Sequence, residues 1–199
     1  MFSMAYKVLS MLIQYLESFI NFIMFHYFGV CIHGKPRHIR GVVIIRSNKK
    51  RSIQIGKDIE INSGKRYNLV GGDTKLILRT LEDGKIIIGK HVGISNTALV
   101  SKNNITIEDN VMIGGGCRIW DTDFHSLNYA NRVQSNDESA HSEPIIIKQG
   151  AFIGGSSIIL KGVIIGEKSI VGAGSVVTKD IPDGEIWAGN PAKFIKKIQ

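Results

Sequence analysis

Residues 147–182 read IKQGAF, IGGSSI, ILKGVI, IGEKSI, VGAGSV, VTKDIP, and their period of six decides the fold. Every block opens with Ile or Val: Ile147, Ile153, Ile159, Ile165, Val171 and Val177. The fifth place is small or β-branched throughout: Ala151, Ser157, Val163, Ser169, Ser175 and Ile181. Such a period matches neither the 3.6-residue helix nor two-residue strand alternation, but it matches a parallel β-helix in which three hexads close one triangular coil. The aliphatic residue then points into the prism and the small residue sits beside it near the corner. Gly154, Gly166 and Gly172, in the second place, relieve the turn.

Working outward, hexads also run from Ile88 (IGKHVG, ISNTAL, VSKNNI) and, after one extra residue at Thr106, from Ile107 (IEDNVM, IGGGCR, IWDTDF). Between 121 and 143 the frame is lost in a polar stretch rich in Asn, Ser and Asp; such insertions leave a solenoid from one face and commonly carry function. From Ile39 to Ile88 the phase is broken by turns at Gly71-Gly72-Asp73 and Glu82-Asp83-Gly84, which reads as irregular first coils. The expectation is an all-β solenoid over 35–182 with a loop insertion at about 121–143. An apolar helical extension over 1–34 precedes it, and a closing segment over 183–199, made of a turn, an extended piece and a short basic helix, follows.

The chain has 199 residues, ample for one core, with sparse aromatics (8%) and a net charge of +8. Basic clusters at Lys35/Arg37/Arg40, Arg46–Arg51 and Lys193/Lys196/Lys197 suit phosphate-bearing ligands or anionic headgroups. No nucleic-acid recognition motif accompanies them, and aromatics are not interleaved with the basic runs, so a nucleic-acid partner is not expected. Cys31 and Cys117 are too few for a disulfide framework or a zinc site, which points to a reducing, cytoplasmic setting without a metal. Residues 3–28 carry a narrow polar stripe (Lys7, Ser10, Gln14, Glu17/Ser18, Asn21) on an otherwise apolar helix. That pattern fits a helix capping the open coil or packing between subunits. It also fits an in-plane anchor giving peripheral contact with the cytoplasmic face of a membrane. Lys7 and Glu17 weigh against a full span, and no small-residue cleavage site marks a signal peptide.

The insertion holds the chemically interesting cluster, WDTDFHSLNYANR at 120–132. A neutral imidazole at His125 can take a proton from a hydroxyl near pH 7, and a nearby carboxylate can fix its tautomer. Asp121 and Asp123 are both placed for that task by sequence. His26, His33, His38, His91 and His141 read as structural.

At this point the tracts IGEKSIVGAGSVVTKDIPDGEIWAGNPAKFIKKI and IEDNVMIGGGCRIWDTDFHSLN resemble the hexapeptide-repeat acyltransferases of the left-handed β-helix fold. The resemblance is nearest to the maltose and galactoside acetyltransferases and to the O-acetyltransferases of capsule and lipopolysaccharide assembly. It covers residues 88–199 well and 39–87 loosely. It implies a left-handed coil, a homotrimer, and acetyl-CoA in grooves between neighbouring prisms. By the same resemblance His125 is the general base that deprotonates a sugar hydroxyl. Gly155 and Ala173 are the backbone positions close to the acyl-CoA, and Thr178 and Lys179 lie along the pantetheine and nucleotide path. Lys193 and Lys196 lie toward the phosphates. Asn96 falls near an acceptor position, and Trp187, just before AGNPAK, either walls the cofactor groove or packs in the core.

The activity implied is acetyl-CoA-dependent O-acetylation of a sugar hydroxyl, on a capsule or lipopolysaccharide precursor. The polar amino-terminal domain of the maltose- and galactoside-type enzymes is replaced here by the apolar helix, which turns the expectation away from free disaccharides. N-acetylation of a nucleotide-linked amino sugar is the alternative, although no glycine fingerprint of a nucleotide-binding unit precedes the coil. A non-catalytic hexapeptide scaffold is a more distant one, since it needs neither the His-bearing insertion nor AGNPAK. The zinc enzymes of this fold need a second His a few residues on, where Ala130 stands.

Overall fold

The computed structural model describes residues 4–133 and 140–198; the part of the expected insertion at 134–139, and the first three residues of the expected helical extension, lie outside them. The helix α1 (Met4–Tyr27) precedes six three-sided coils. The first is β1 (Cys31–Ile32), β2 (His38–Arg40) and β3 (Ile44–Arg46), and the second β4 (Ile53–Ile55), β5 (Glu60–Asn62) and β6 (Ile77–Thr80). The third is β7 (Lys85–Ile88), β8 (Gly93–Ser95) and β9 (Ala98–Ser101), and the fourth β10 (Asn104–Ile107), β11 (Met112–Ile113) and β12 (Arg118–Trp120). The insertion, with the short helix α2 (Tyr129–Arg132), leaves after β12. The fifth coil is then β13 (Ile145–Ile147), β14 (Phe152–Ile153) and β15 (Ile158–Ile159), and the sixth β16 (Ile164–Ile165), β17 (Ile170–Val171) and β18 (Val176–Val177). Like sides stack in parallel into three sheets: A begins with β1, B with β2 and C with β3.

Register explains the sequence period. Ile32, Ile55, Ile88, Ile107, Ile147 and Ile165 stand one above another through sheet A, and Ile45, Leu78, Leu99, Ile119, Ile159 and Val177 do the same in sheet C. Apart from half-buried Ile32, all of these are at most 3% exposed, so each contributes about 1.5–3 kcal/mol of hydrophobic stabilisation. The small fifth-place residues close the corners. Ser157 and Ser175 hydroxyls donate to the Gly154 and Gly172 carbonyls at 2.7 and 2.6 Å, satisfying buried acceptors that would otherwise carry a desolvation cost. Cys117 takes the same place one coil below, its thiol against the Gly154 carbonyl at 3.3 Å, and burial pushes its pKa up.

The first two coils also keep this core, although their corners are longer. The side chains that the sequence shows as irregular between Ile39 and Ile88 lie in the 63–76 connection and the turns, while Ile53, Ile55, Ile59 and Ile61 point inward at no more than 1% exposure.

Both ends of the prism are covered. At the first coil, Phe25 of α1 is 7% exposed and joins the core, with Met24 and Phe28 packed against it. Asn21 ties the helix to the coil: its amide donates to the Gly41 carbonyl and its oxygen accepts from the Val43 N–H, both at 2.9 Å. At the other end the structure corrects the expected closing helix. Residues 185–197 form a hairpin, β19 (Glu185–Ala188) pairing in parallel with β17 and antiparallel with β20 (Lys193–Lys197). Gly189, at φ +104, and the cis Asn190–Pro191 peptide make its turn. Open N–H and C=O groups above β17 favour another strand over a free helix.

Candidate active site

Two edges of the prism carry the residues singled out by sequence. At the corner between sheets B and C the backbone is stripped of side chains. A Cβ on Gly154 would sit 2.5 Å from the Ala173 nitrogen, and one on Gly155 would sit 3.0 Å from the Gly115 carbonyl. Successive coils are knitted there by Ser156 N–H to Gly115 O and Gly174 N–H to Gly155 O, both 2.9 Å. The N–H groups of Gly155 and Ala173 take no acceptor among the described residues, so each is available to an outside oxygen. Val70, from the 63–76 connection, approaches the same corner, 3.7 Å from where a Gly155 Cβ would lie.

Over the last coil the hairpin opens a cavity of about 300 Å³ lined by Thr178 and Lys179, just past the other end of sheet C, and by Trp187, Pro191, Lys193 and Phe194, among others. Four of the residues expected on the cofactor path thus meet in one cleft. Trp187 is one of them. It continues the inward ladder above Val171 and packs against the core, while its edge lines the cleft and its indole N–H donates to Glu185 at 2.8 Å. Lys196 is exposed on β20 but is not among the cavity residues.

His125 emerges from the other end of sheet C, at its corner with sheet A, and is exposed. The two aspartates beside it differ in kind. Asp121 is fully buried, and its carboxylate accepts from Ser101 Oγ (2.7 Å), the Lys102 N–H (2.7 Å) and the Asn103 N–H (3.0 Å). It clamps the base of the insertion to the turn below, which corrects the expectation that it is equally placed to orient His125. Asp123 is pinned by Lys161 of the next coil at 2.9 Å, and its Oδ2 is buried with no hydrogen-bond partner among the described residues. That oxygen is the one able to take a further donor.

Asn96 is likewise not at a ligand surface. It is 1% exposed, its oxygen accepts from the Gly64 N–H at 2.6 Å, and its amide donates to the Asn68 carbonyl at 3.0 Å. It holds the 63–76 connection against the coil, a role that its place in a hexad does not disclose. Sequence reasoning missed a polar cavity of about 420 Å³ below the insertion, lined by Glu82, Asp83, Lys102, Asn103, Asn104 and Ser142 among others. Its residues come from three separate stretches of chain, so only stacking of the coils brings them together. His91 occupies a corner at φ +55 and His141 pairs with Glu143, in keeping with structural roles.

The chain is similar to several known proteins. Residues 144–179 match the family described as the hexapeptide repeat of succinyl-transferase. A putative acetyltransferase of Schizosaccharomyces pombe is 44% identical over 95 residues, 48% of this chain and 44% of its own. The chain spans about half the length, or less, of the curated relatives it matches. Among solved structures, a hexapeptide-repeat acetyltransferase of Vibrio cholerae complexed with acetyl coenzyme A is 25% identical with a TM-score of 0.58, over 89% of this chain and 75% of that one. A variant of an N-acyltransferase of Bacillus cereus, in complex with dTDP-4-amino-4,6-dideoxyglucose and coenzyme A, is 26% identical with a TM-score of 0.67, over 87% of both chains. The three-sheet coil is therefore a left-handed parallel β-helix of the hexapeptide-repeat type.

Proposed function

We propose that this protein is an acyltransferase that moves the acetyl group of acetyl-CoA to a sugar hydroxyl. The observation that carries the reading is the bare corner at Gly155 and Ala173, taken together with the basic cleft under the hairpin that Trp187, Lys179 and Lys193 line. Free N–H groups there suit a thioester oxygen, and Lys179 and Lys193 suit the phosphates of a nucleotide. The Vibrio relative bound to acetyl coenzyme A supports the choice of donor.

In the proposed step an unprotonated ring nitrogen of His125 takes the proton of the acceptor hydroxyl. The hydroxyl oxygen attacks the thioester carbonyl carbon, the carbon–sulfur bond breaks, and the CoA sulfur leaves with the proton returned by the imidazolium. The products are the O-acetyl sugar and CoA thiol. Backbone N–H donors hold the negative charge that gathers on the carbonyl oxygen. The open Oδ2 of Asp123 is our candidate for steadying the imidazolium.

His125 and Gly155 lie at opposite ends of sheet C. Lys161 stands six positions after Gly155 along that side, about 15–20 Å at 3.3 Å per residue. We therefore place the reaction between copies, with the His125 corner of one protomer against the Gly155 corner of the next, in a homotrimer. The polar cavity under the insertion offers hydrogen-bond partners for a sugar, which we take to be part of a capsule or lipopolysaccharide precursor in the cytoplasm.

Incubation with acetyl-CoA and a panel of sugars, read by thiol release, tests the reading. His125→Ala should leave a folded trimer with turnover lowered at least about 100-fold, the usual scale for a lost general base. Near-normal turnover overturns the assignment. Similarity to the Bacillus N-acyltransferase favours a second reading, acylation of an amine on a nucleotide-linked sugar. Alkali separates the two, because it strips an O-acetyl ester and leaves an N-acetyl amide.

A further inference from the structure

The polar stripe of α1 faces the protein, and its apolar half faces outward. Ser10 accepts from Arg66 at 2.8 Å, Glu17 accepts from the Tyr67 hydroxyl at 2.5 Å, and Asn21 bridges Gly41 and Val43. These groups recur at three- and four-residue steps with shielded Ile13, Met24 and Phe25, which makes one docked stripe. On the opposite half Met11, Leu12, Tyr15, Leu16, Phe19 and Phe22 are 55–78% exposed. No Asp or Glu falls on that half, given 100° per residue. The apolar patch runs most of the helix length, and a contiguous exposed patch of large apolar side chains marks a contact surface for a protein or a membrane.

Charge beside the patch selects its partner. Lys7, Arg40 and Arg66 are exposed on or next to α1, whereas Lys65 is paired with Asp73 and Glu17 is engaged by Tyr67. A second copy packed over the patch would bring these cations against their own kind. An anionic lipid surface instead meets both the apolar half and the basic rim.

We propose that α1 seats the protein on an anionic bilayer, lying in the plane of the interface. By length and composition the helix could also cross a membrane. Its contacts from Ser10 to Asn21 argue against crossing, because they hold that face to the coil and would carry Arg66 and Tyr67 into the hydrocarbon.

The test is co-sedimentation of the full chain with vesicles of phosphatidylcholine alone and of phosphatidylcholine mixed with phosphatidylserine. Binding to the mixed vesicles, weakened by salt and released by alkaline carbonate, is the expected result. Leu12→Glu/Phe19→Glu should weaken it more than tenfold while oligomeric state and acyl transfer to a soluble acceptor stay unchanged; both sites are exposed, so folding should persist. Arg40→Glu should reduce binding to mixed vesicles several-fold and leave the small affinity for neutral ones alone. Resistance to carbonate would mean a span and overturn the in-plane placement. Failure of the wild type to bind either vesicle overturns the proposal outright, and loss of the oligomer in the double variant would assign the patch to a second copy. Since the wild-type measurement stands alone, a variant that does not fold leaves the proposal falsifiable. Because acyl transfer is followed separately, failure here does not touch the catalytic reading.

Discussion

The last two coils and the first two are built on the same aliphatic ladders but closed by different means. In the fifth and sixth coils every strand but the first has two residues, and the corners between strands have four. There the Gly154–Gly155 and Gly172–Gly174 corners press backbone on backbone. In the first two coils strands have two to four residues, and one corner is drawn out into the 63–76 connection. That corner is held by side chains, Asn96 from the neighbouring coil and Tyr67 from the connection itself. The lesson is that inward residues set the fold, while corners decide what the fold can present. Tight corners expose main chain, and long ones carry side chains to α1 and toward the Gly155 corner.

The contrast can be broken at several points. Gly154→Val should have the largest effect, because its Cβ would meet the Ala173 nitrogen and Val171 carbonyl at 2.5 and 2.7 Å. A loss of more than ~4 kcal/mol is expected in denaturant unfolding, since neither neighbour is a flexible side chain. Ile53→Ala and Ile159→Ala should each cost about 2–5 kcal/mol, and similar values would confirm that early and late coils share one core. A cheap Ile53→Ala would show the first coils to be loosely packed.

Asn96→Ala strands the Gly64 N–H and the Asn68 carbonyl, for about 1–3 kcal/mol. Amide exchange should quicken over 64–72 and stay unchanged over 145–177. The smallest effect concerns Tyr67, whose pKa burial and the Glu17 carboxylate push up to about 12. The folded protein therefore holds this proton where the unfolded chain has lost it, and stability should fall as pH rises from about 10 to about 12. Tyr67→Phe should flatten that part of the profile; an unchanged slope would count against the contact with Glu17.

Much of this could be read from residues. Hexads over 88–120 and 147–182 mark the sides, because one inward aliphatic per side repeats whenever the corner length is constant. From 39 to 88 the same inward residues are present, but four-residue strands and the long connection shift their spacing, so the period fades while the packing remains. The polar stripe on α1 was legible as a stripe. Its direction was not, since Ser10, Glu17 and Asn21 find partners from distant coils. Asp121 shows the same limit, because it looks like a neighbour of His125 in sequence yet its donors come from residues 101–103. Only the last part of the tail reads in sequence as a short basic helix, whereas the unpaired rim above β17 makes the whole of 185–197 a strand hairpin.

The two end pieces have a consequence for assembly. A parallel coil with bare ends offers unpaired backbone on one rim and the complementary pattern on the other, the template on which strands add without limit. Phe25 plugs the first coil. At the far end β20 runs antiparallel, with Lys193, Lys196 and Lys197 along the last strand of sheet B. An incoming copy would meet a reversed strand and a row of positive charge instead of a matching rung. The hairpin thereby works as a terminator, limiting the molecule to a finite prism and keeping the chain from growing end to end into a fibre.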